Sequence, residues 1–229
     1  MRNVPGRRST WEGCLLCVEK GSELPPEDPR RKFKYRVVFG GHNVIDQSWE
    51  SAVFQNLGSS PSSMATGKFV DYYSCLEGNE GQQADAEQAY VQAELKGTET
   101  WVYIPPEGWP DGMLSSICKD AGKEFRTPVV RLKRALYGHP DSGGFWEEHC
   151  NKCLAQAGFQ PIKAWPSCFY HDKLKLVLSV YVDDFKLAGP KGNLGEGWKL
   201  IREHIQMEGP THMQLYLGCI HRKFDKYIK

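Results

Sequence analysis

The chain has 229 residues, of which 40% are hydrophobic and 25% charged, and its formal net charge is +1. These values are typical of a globular protein with an ample core. No uncharged apolar run is long enough to span a bilayer, so we expect no membrane partner. The N-terminal residues lack a signal-peptide pattern, and eight scattered cysteines do not indicate a disulfide framework. We therefore expect an intracellular, non-secreted protein with reduced thiols.

The N-terminal third of the chain is predicted to begin without regular structure. Residues 1–30 mix Pro, Gly, Arg and Ser around one short apolar patch, which indicates a poorly ordered lead-in. Apolar and basic residues then alternate over residues 33–39 and predict a strand with cations on one side. Residues 62–75 favour a helix.

The middle of the chain alternates strands with helices. A strand is predicted to begin at Ala84 and to turn helical near Ala89, and residues 101–104 and 129–132 favour short strands. A longer helix follows, because apolar residues recur at intervals of three and four between residues 142 and 157.

Cys150 and Cys153 lie on this longer helix with the two-residue gap of a zinc half-site. Both fall on its apolar stripe, where free cysteine is a common core residue. We therefore interpret them as packing residues rather than as zinc ligands.

The C-terminal part favours strands at residues 169–171 and 173–182, a helix around residues 198–205 and a last strand at 215–222. Strands interleaved with helices predict an α+β fold, with an antiparallel sheet that carries its helices on one face.

Two adjacent acids follow an apolar run at residues 176–182. Asp183 and Asp184 therefore sit at the predicted tip of a hairpin, because a second apolar run begins at Phe185. An Asp-Asp pair is often only a turn, since aspartate bonds its own backbone there. Two neighbouring anions also repel each other unless a cation lies between them, and Mg²⁺ is the natural candidate.

Asp85 is a third acid at the end of a predicted strand, with an aromatic residue, Tyr90, five positions later. Together with Asp183 and Asp184 it would supply the carboxylates of a two-metal site, which activates an attacking hydroxyl and neutralises a leaving pyrophosphate. Tyr90 would close such a pocket, or it could be an ordinary core aromatic.

The chain resembles the reverse transcriptase domain of copia-type (Pseudoviridae) LTR retrotransposon Pol polyproteins over about residues 33–224. Six blocks match the family in order, and they lie at residues 34–38, 83–90, 101–108, 132–138, 181–184 and 216–218. One departure is clear: His139 and Pro140 stand where the family commonly has Lys and Gln.

This resemblance implies the right-hand polymerase fold, with fingers and palm and with the thumb largely absent. It assigns fingers and palm to residues 31–224, after a lead-in at 1–30 and before a tail at 225–229.

The resemblance also assigns roles to individual residues. It makes three aspartates the catalytic metal ligands for two Mg²⁺ ions, with Mn²⁺ as an alternative: Asp85, Asp183 and Asp184. It places nucleotide contacts at five residues, of which the aromatic Tyr90 would exclude a ribose 2′-hydroxyl: Lys34, Arg36, Tyr90, Tyr137 and Gly138. The primer-grip region would contain Tyr216, Leu217 and Gly218.

The implied function is RNA-directed DNA synthesis by two-metal nucleotidyl transfer. The implied partners are an RNA or DNA template-primer, deoxynucleoside triphosphates and, in a longer polyprotein, integrase and ribonuclease H. The implied location is the cytoplasm, a virus-like particle or the nucleus. Two alternatives stay open: an inactive remnant that binds nucleic acid, and another two-metal phosphoryl enzyme such as a nuclease.

Overall fold

The computed structural model describes residues 7–9, 14–29, 31–41, 44–46, 48, 50–52, 59–105, 108–122, 124, 128–222 and 224. The chain divides into two compact units. The first contains residues 1–57 and 94–145, and the second contains residues 58–93 and 146–229. The predicted tail at 225–229 lies outside the described residues.

The described residues form five helices and fourteen strands. The helices are α1 (Met64–Ser74), α2 (Ala89–Gln92), α3 (Met113–Asp120), α4 (Ser142–Gln156) and α5 (Lys191–Arg202). The strands are β1 (Arg7–Ser9), β2 (Cys14–Lys20), β3 (Lys32–Val38), β4 (Val44–Ile45), β5 (Asn79–Asp85), β6 (Thr100–Tyr103), β7 (Val129–Arg131), β8 (Gln160–Pro161), β9 (Cys168–His171), β10 (Leu176–Tyr181), β11 (Asp184–Pro190), β12 (Thr211–His212), β13 (Leu215–Tyr216) and β14 (Cys219–Ile220).

The second unit is built on a six-stranded sheet in the order β12-β5-β11-β10-β9-β8. Every neighbouring pair in this sheet is antiparallel. The mixed α+β class and the antiparallel sheet are therefore confirmed.

The expectation that helices cover only one face of this sheet is wrong. On one face Phe185 and Leu187 join the main core with Trp198 of α5, and on the other face Ala188 packs with Val70 of α1. The physical reason is that β10 is buried at five consecutive positions, and a strand apolar on both sides must be covered on both sides.

The first unit contains a four-stranded sheet in the order β4-β1-β6-β7 and a separate hairpin of β2 and β3. A small core of Phe39, Val44 and Val102 belongs to this unit. The predicted strand at 33–39 is confirmed as β3. The predicted lead-in at 1–30 differs from the structure, since β1 and β2 form in its described part. Strand β2 pairs with β3 along its whole length, so β3 provides partners for its backbone N–H and C=O groups. The composition of residues 1–30 did not indicate this partner.

Helix boundaries follow local hydrogen bonding. Ser63 is the N-cap of α1, and its hydroxyl accepts a hydrogen bond from the Thr66 N–H at 3.2 Å. The predicted long helix is confirmed as α4, and its cysteines Cys150 and Cys153 are buried in the main core. Helix α5 begins at Lys191, seven residues before the predicted apolar start at Trp198.

The predicted single strand at 215–222 is wrong. Strands β13 and β14 pair with each other, and Leu217 and Gly218 form the two-residue turn between them. Both turn residues have positive φ, 47° and 78°, which breaks the extended backbone and reverses the chain.

No helix among the described residues has both the length and the apolar character needed to cross a membrane.

Candidate active site

Asp85 and Asp184 are direct neighbours in the central sheet. Asp85 ends β5 and Asp184 begins β11, and their Cα atoms are partners in the antiparallel ladder. Opposite residues of such a ladder project to the same face, about 4.5–5.5 Å apart at Cβ. The sheet therefore brings together two acids that are distant in sequence.

Burial of the adjacent residues fixes the face on which these carboxylates lie. Phe185 follows Asp184 and is fully buried in the main core, as is Ala84, which precedes Asp85. Because successive side chains of a strand alternate between faces, the acids lie on the opposite face from that core.

Asp183 lies in the turn of the β10–β11 hairpin. Tyr181 pairs with Asp184, so Val182 and Asp183 form a two-residue turn, with Val182 at φ 56°. The Asp183 carbonyl accepts a hydrogen bond from the Ala86 N–H at 2.7 Å. The Val182 carbonyl accepts one from the indole N–H of Trp146 at 2.8 Å. The tip is therefore fastened to both β5 and α4.

The charges of different acids raise the pKa of Tyr90 and the pKa of Tyr216. Burial, and then the charge of Asp183, raise the pKa of Tyr90. Burial raises the pKa of Tyr216 most, and among the charges that add to it the first is Asp184. Asp85 also contributes to the shift of Tyr216. Tyr90 is therefore the tyrosine near the turn, and Tyr216 is the one near the paired carboxylates.

The donor set fits a divalent cation of the Mg²⁺ type. Asp85 and Asp184 supply two carboxylates, and proteins commonly hold Mg²⁺ through one or two carboxylates while substrate phosphates and waters complete the octahedron. In the part of the chain that the structure describes, no three His, Cys, Asp or Glu side chains form a metal-binding group. The ligand roles of Asp85, Asp183 and Asp184 all stay predictions.

The residues predicted to contact the nucleotide divide between the units. Lys34 and Arg36 are exposed on β3, and the Arg36 guanidinium lies 5.3 Å from the centre of the Tyr137 ring. Gly138 has φ 86° and lies against Phe39, whose N–H donates to the Tyr137 carbonyl at 2.6 Å. These residues belong to the first unit, whereas Tyr90 belongs to the second.

The Tyr-Leu-Gly block at 216–218 forms one end of the β13–β14 hairpin. Tyr216 is buried, and Leu217 and Gly218 are exposed in the turn. This hairpin belongs to the same unit as the three aspartates.

Sequence reasoning missed a buried lysine on the face of the carboxylates. Lys186 is 1% exposed and pairs with Asp71 of α1 at 2.5 Å. A lysine inside the apolar run 185–188 was a visible signal, since an unpaired ammonium group is rarely buried. The identity of its partner could not be read from the sequence.

Comparison with known proteins gives a family match over most of the chain. The family model described as reverse transcriptase (RNA-dependent DNA polymerase) matches residues 30–227. The Ty1-DR4 Gag-Pol polyprotein of Saccharomyces cerevisiae is 28% identical over 131 residues, which cover 56% of this chain and 7% of that protein. The TyH3 Gag-Pol polyprotein of the same organism is also 28% identical, over 56% of this chain and 6% of its own length.

Among solved structures, telomerase from Candida albicans in complex with a fragment of telomeric RNA aligns with 97% of this chain and 43% of that chain. Its identity is 9% and its TM-score is 0.41. The chain thus spans a small part of the curated relatives that it matches. The family match itself covers residues 30–227, and the chain belongs to the reverse transcriptase (RNA-dependent DNA polymerase) family.

Proposed function

We propose that this chain is the RNA-directed DNA polymerase domain of a copia-type retrotransposon, with fingers and palm in residues 31–224. The single observation that carries the proposal is the juxtaposition of Asp85 with Asp184 at the hairpin tip, in a chain that belongs to the reverse transcriptase family. Nucleotidyl transfer depends mainly on positioned charge, and two carboxylates on one rigid sheet provide that.

Asp85 and Asp184, together with Asp183 in the turn, are the residues proposed to hold two divalent ions, Mg²⁺ or Mn²⁺. When bound, such ions supply neutralisation of the triphosphate and activation of the primer hydroxyl. The ladder between β5 and β11 holds Asp85 and Asp184 in register, so their separation is set by backbone hydrogen bonds rather than by loop conformation.

Other residues are proposed to bind and select the substrates. The exposed cations of Lys34 and Arg36 suit triphosphate oxygens, and the Tyr137–Gly138 turn would add backbone contacts. The half-buried Tyr90 would exclude a ribose 2′-hydroxyl. The hairpin with Tyr216, Leu217 and Gly218 would hold the primer end.

The proposed partners are an RNA or DNA template-primer and deoxynucleoside triphosphates, together with integrase and ribonuclease H where the chain is part of a longer Pol product. Phosphate contacts through Lys and Arg would make binding of template-primer weaken as salt increases. The proposed location is intracellular, in the cytoplasm, a virus-like particle or the nucleus.

A primer-extension assay tests the proposal. The purified chain is given an oligo(dT) primer on poly(rA), dTTP and Mg²⁺, and extension is compared with that of Asp85→Asn and Asp184→Asn. We expect each variant to lose roughly a hundredfold or more in rate, because the substitution removes charge without changing shape.

Asp172→Asn is the matched control, since Asp172 is an exposed acid at a different turn of the same sheet. Extension that is unchanged in Asp85→Asn would reject the site. A wild-type chain that binds template-primer but does not extend it would instead favour the inactive remnant, and degradation without triphosphates would favour a nuclease.

A further inference from the structure

Lys186 occupies the middle of the sheet, on the face that carries the paired acids. Its ladder partners are Ser179 of β10 and Gln83 of β5, and it lies two positions from Asp184 on the same strand. Residues two apart on a strand share a face. Burying an ammonium group is unfavourable unless charge and hydrogen bonds compensate for it, so the partners of Lys186 matter.

Three groups surround the buried ammonium. Its Nζ lies 2.5 Å from Asp71 Oδ1, 3.2 Å from His221 Nε2 and 4.5 Å from the centre of the Tyr216 ring. His221 Nε2 also lies 3.3 Å from the Asp71 carboxylate. Two of the three partners, Tyr216 and His221, come from the C-terminal segment that contains the β13–β14 hairpin.

This hairpin has few other attachments in the described residues. Its strands are two residues each, and three of its apolar side chains are more than 45% exposed: Leu215, Leu217 and Ile220. Gln83 provides a further contact, because its side-chain N–H donates to the Leu215 carbonyl at 2.9 Å. A two-stranded hairpin of this size is not stable alone, so it depends on these tertiary contacts.

We propose that Lys186 is a positioning residue that fixes the hairpin at 215–220 beside Asp85 and Asp184. The cation–π contact with Tyr216 sets the hairpin against the sheet, and Asp71 supplies the countercharge that keeps the ammonium buried. The inference rests on the proposed function, because it assigns Lys186 the task of placing the primer-binding hairpin relative to the catalytic carboxylates. Lys186 itself contacts no reacting atom.

The test combines hydrogen–deuterium exchange with kinetics in Lys186→Met, Lys186→Arg and Tyr216→Leu. In Lys186→Met we expect exchange in residues 211–222 to become about tenfold faster, while β9 and β10 stay protected. We also expect KM for template-primer to rise about tenfold with a smaller change in KM for dTTP, and Lys186→Arg to restore part of both effects.

Lys175→Met is the matched control, since Lys175 is an exposed lysine of the same unit whose ammonium pairs with Asp172 and lies 6.0 Å from the centre of the Tyr170 ring, away from the hairpin. If Lys186→Met fails to fold, Tyr216→Leu breaks the same contact from the hairpin side and leaves the sheet intact. Unchanged exchange at 211–222 in the folded variant would overturn the proposal.

The two proposals fail in distinguishable ways. Faster exchange with an unchanged KM for template-primer, in an active wild-type protein, would reject the positioning role and leave the proposed polymerase function standing. A wild-type protein that extends no primer would reject the polymerase function and the kinetic role of Lys186 together. The exchange rates would still show whether Lys186 holds the hairpin.

Discussion

Asp85 and Asp184 face each other across the β5–β11 ladder, at positions that are 99 residues apart in the chain. Like charges directly opposite in a sheet destabilise it, and a bound cation removes that penalty. The site is therefore expected to affect folding stability as well as activity, which makes it testable without a substrate.

Mg²⁺ should stabilise the wild-type fold more than it stabilises Asp184→Asn. Millimolar Mg²⁺ is expected to raise Tm of the wild type, because it binds the folded pair and not the unfolded chain. Thermal unfolding of both proteins in EDTA and in Mg²⁺ measures the difference. Asp172→Asn should respond to Mg²⁺ as the wild type does, and an equal response in Asp184→Asn would contradict a metal at the pair.

Gly138→Ala should destabilise the protein through a specific backbone collision. Gly138 has φ 86°, and a Cβ at this position would meet the carbonyl oxygen of Phe39. Positive φ alone costs about 1–3 kcal/mol for alanine, and the collision adds to it. Gly122→Ala is the control, because Gly122 has φ 64° with open space around it. Denaturant unfolding should show a larger loss of unfolding free energy for Gly138→Ala than for Gly122→Ala. Equal losses would show that the Phe39 carbonyl does not contribute.

Tyr90→Ala should reduce the preference for deoxynucleotides if the polymerase proposal is correct. The aromatic ring fills space near the turn, and removing it would admit a 2′-hydroxyl. We expect the ratio of kcat/KM for dTTP over UTP to fall by roughly tenfold or more. Tyr90→Phe keeps the ring and should keep the ratio, so a loss in that variant would point to the hydroxyl instead of the ring.

The buried thiols should resist alkylation while exposed ones react. Burial raises the pKa of Cys168 to about 11, so only about one molecule in a thousand carries the thiolate at pH 8. Burial also raises the pKa of Cys150, whereas Cys75 and Cys219 are exposed. Timed iodoacetamide labelling with mass spectrometry should modify Cys75 and Cys219 first. Labelling of Cys168 at the same rate would show that its strand is not packed as described.

The raised pKa of Cys168 should also lower the stability of the folded protein at alkaline pH. The Cys168 thiol loses its proton near pH 8.5 in the unfolded chain and near pH 11 in the folded one. Folding therefore favours the protonated form, and the free energy of unfolding should fall as pH rises from about 8.5 to 11. Cys168→Ala should show a smaller decline in urea unfolding at these pH values.

Much of the central hairpin could be predicted from the sequence. The apolar runs before Asp183 and after Asp184 are interrupted only by Ser179 and Lys186, which leaves the two acids as the natural place for a turn. The convergence of Asp85 on Asp183 and Asp184 was predicted from their chemistry and from the family resemblance. The register that puts Asp85 opposite Asp184 was not, since no local pattern specifies which strand lies next to β11.

Other features were missed. Helix α3 (Met113–Asp120) has only eight residues and buries none of them, so no core contact supports the helical spacing of Met113, Leu114 and Ile117. The turn at Leu217–Gly218 was missed because leucine rarely adopts positive φ. The contact of Lys186 with Asp71 joins residues 115 positions apart, and only the folded sheet and α1 bring them together.

Both edges of the six-stranded sheet are shielded from pairing with a strand of another molecule. On one side β8 is two residues long and contains Pro161, which has no N–H to offer. At the other edge, residues 207–212 run along β5 and its end. They form backbone hydrogen bonds with groups of β5 that would otherwise face solvent. Long unpaired edges are where sheets of separate molecules fuse, so the six-stranded sheet offers little edge for such pairing.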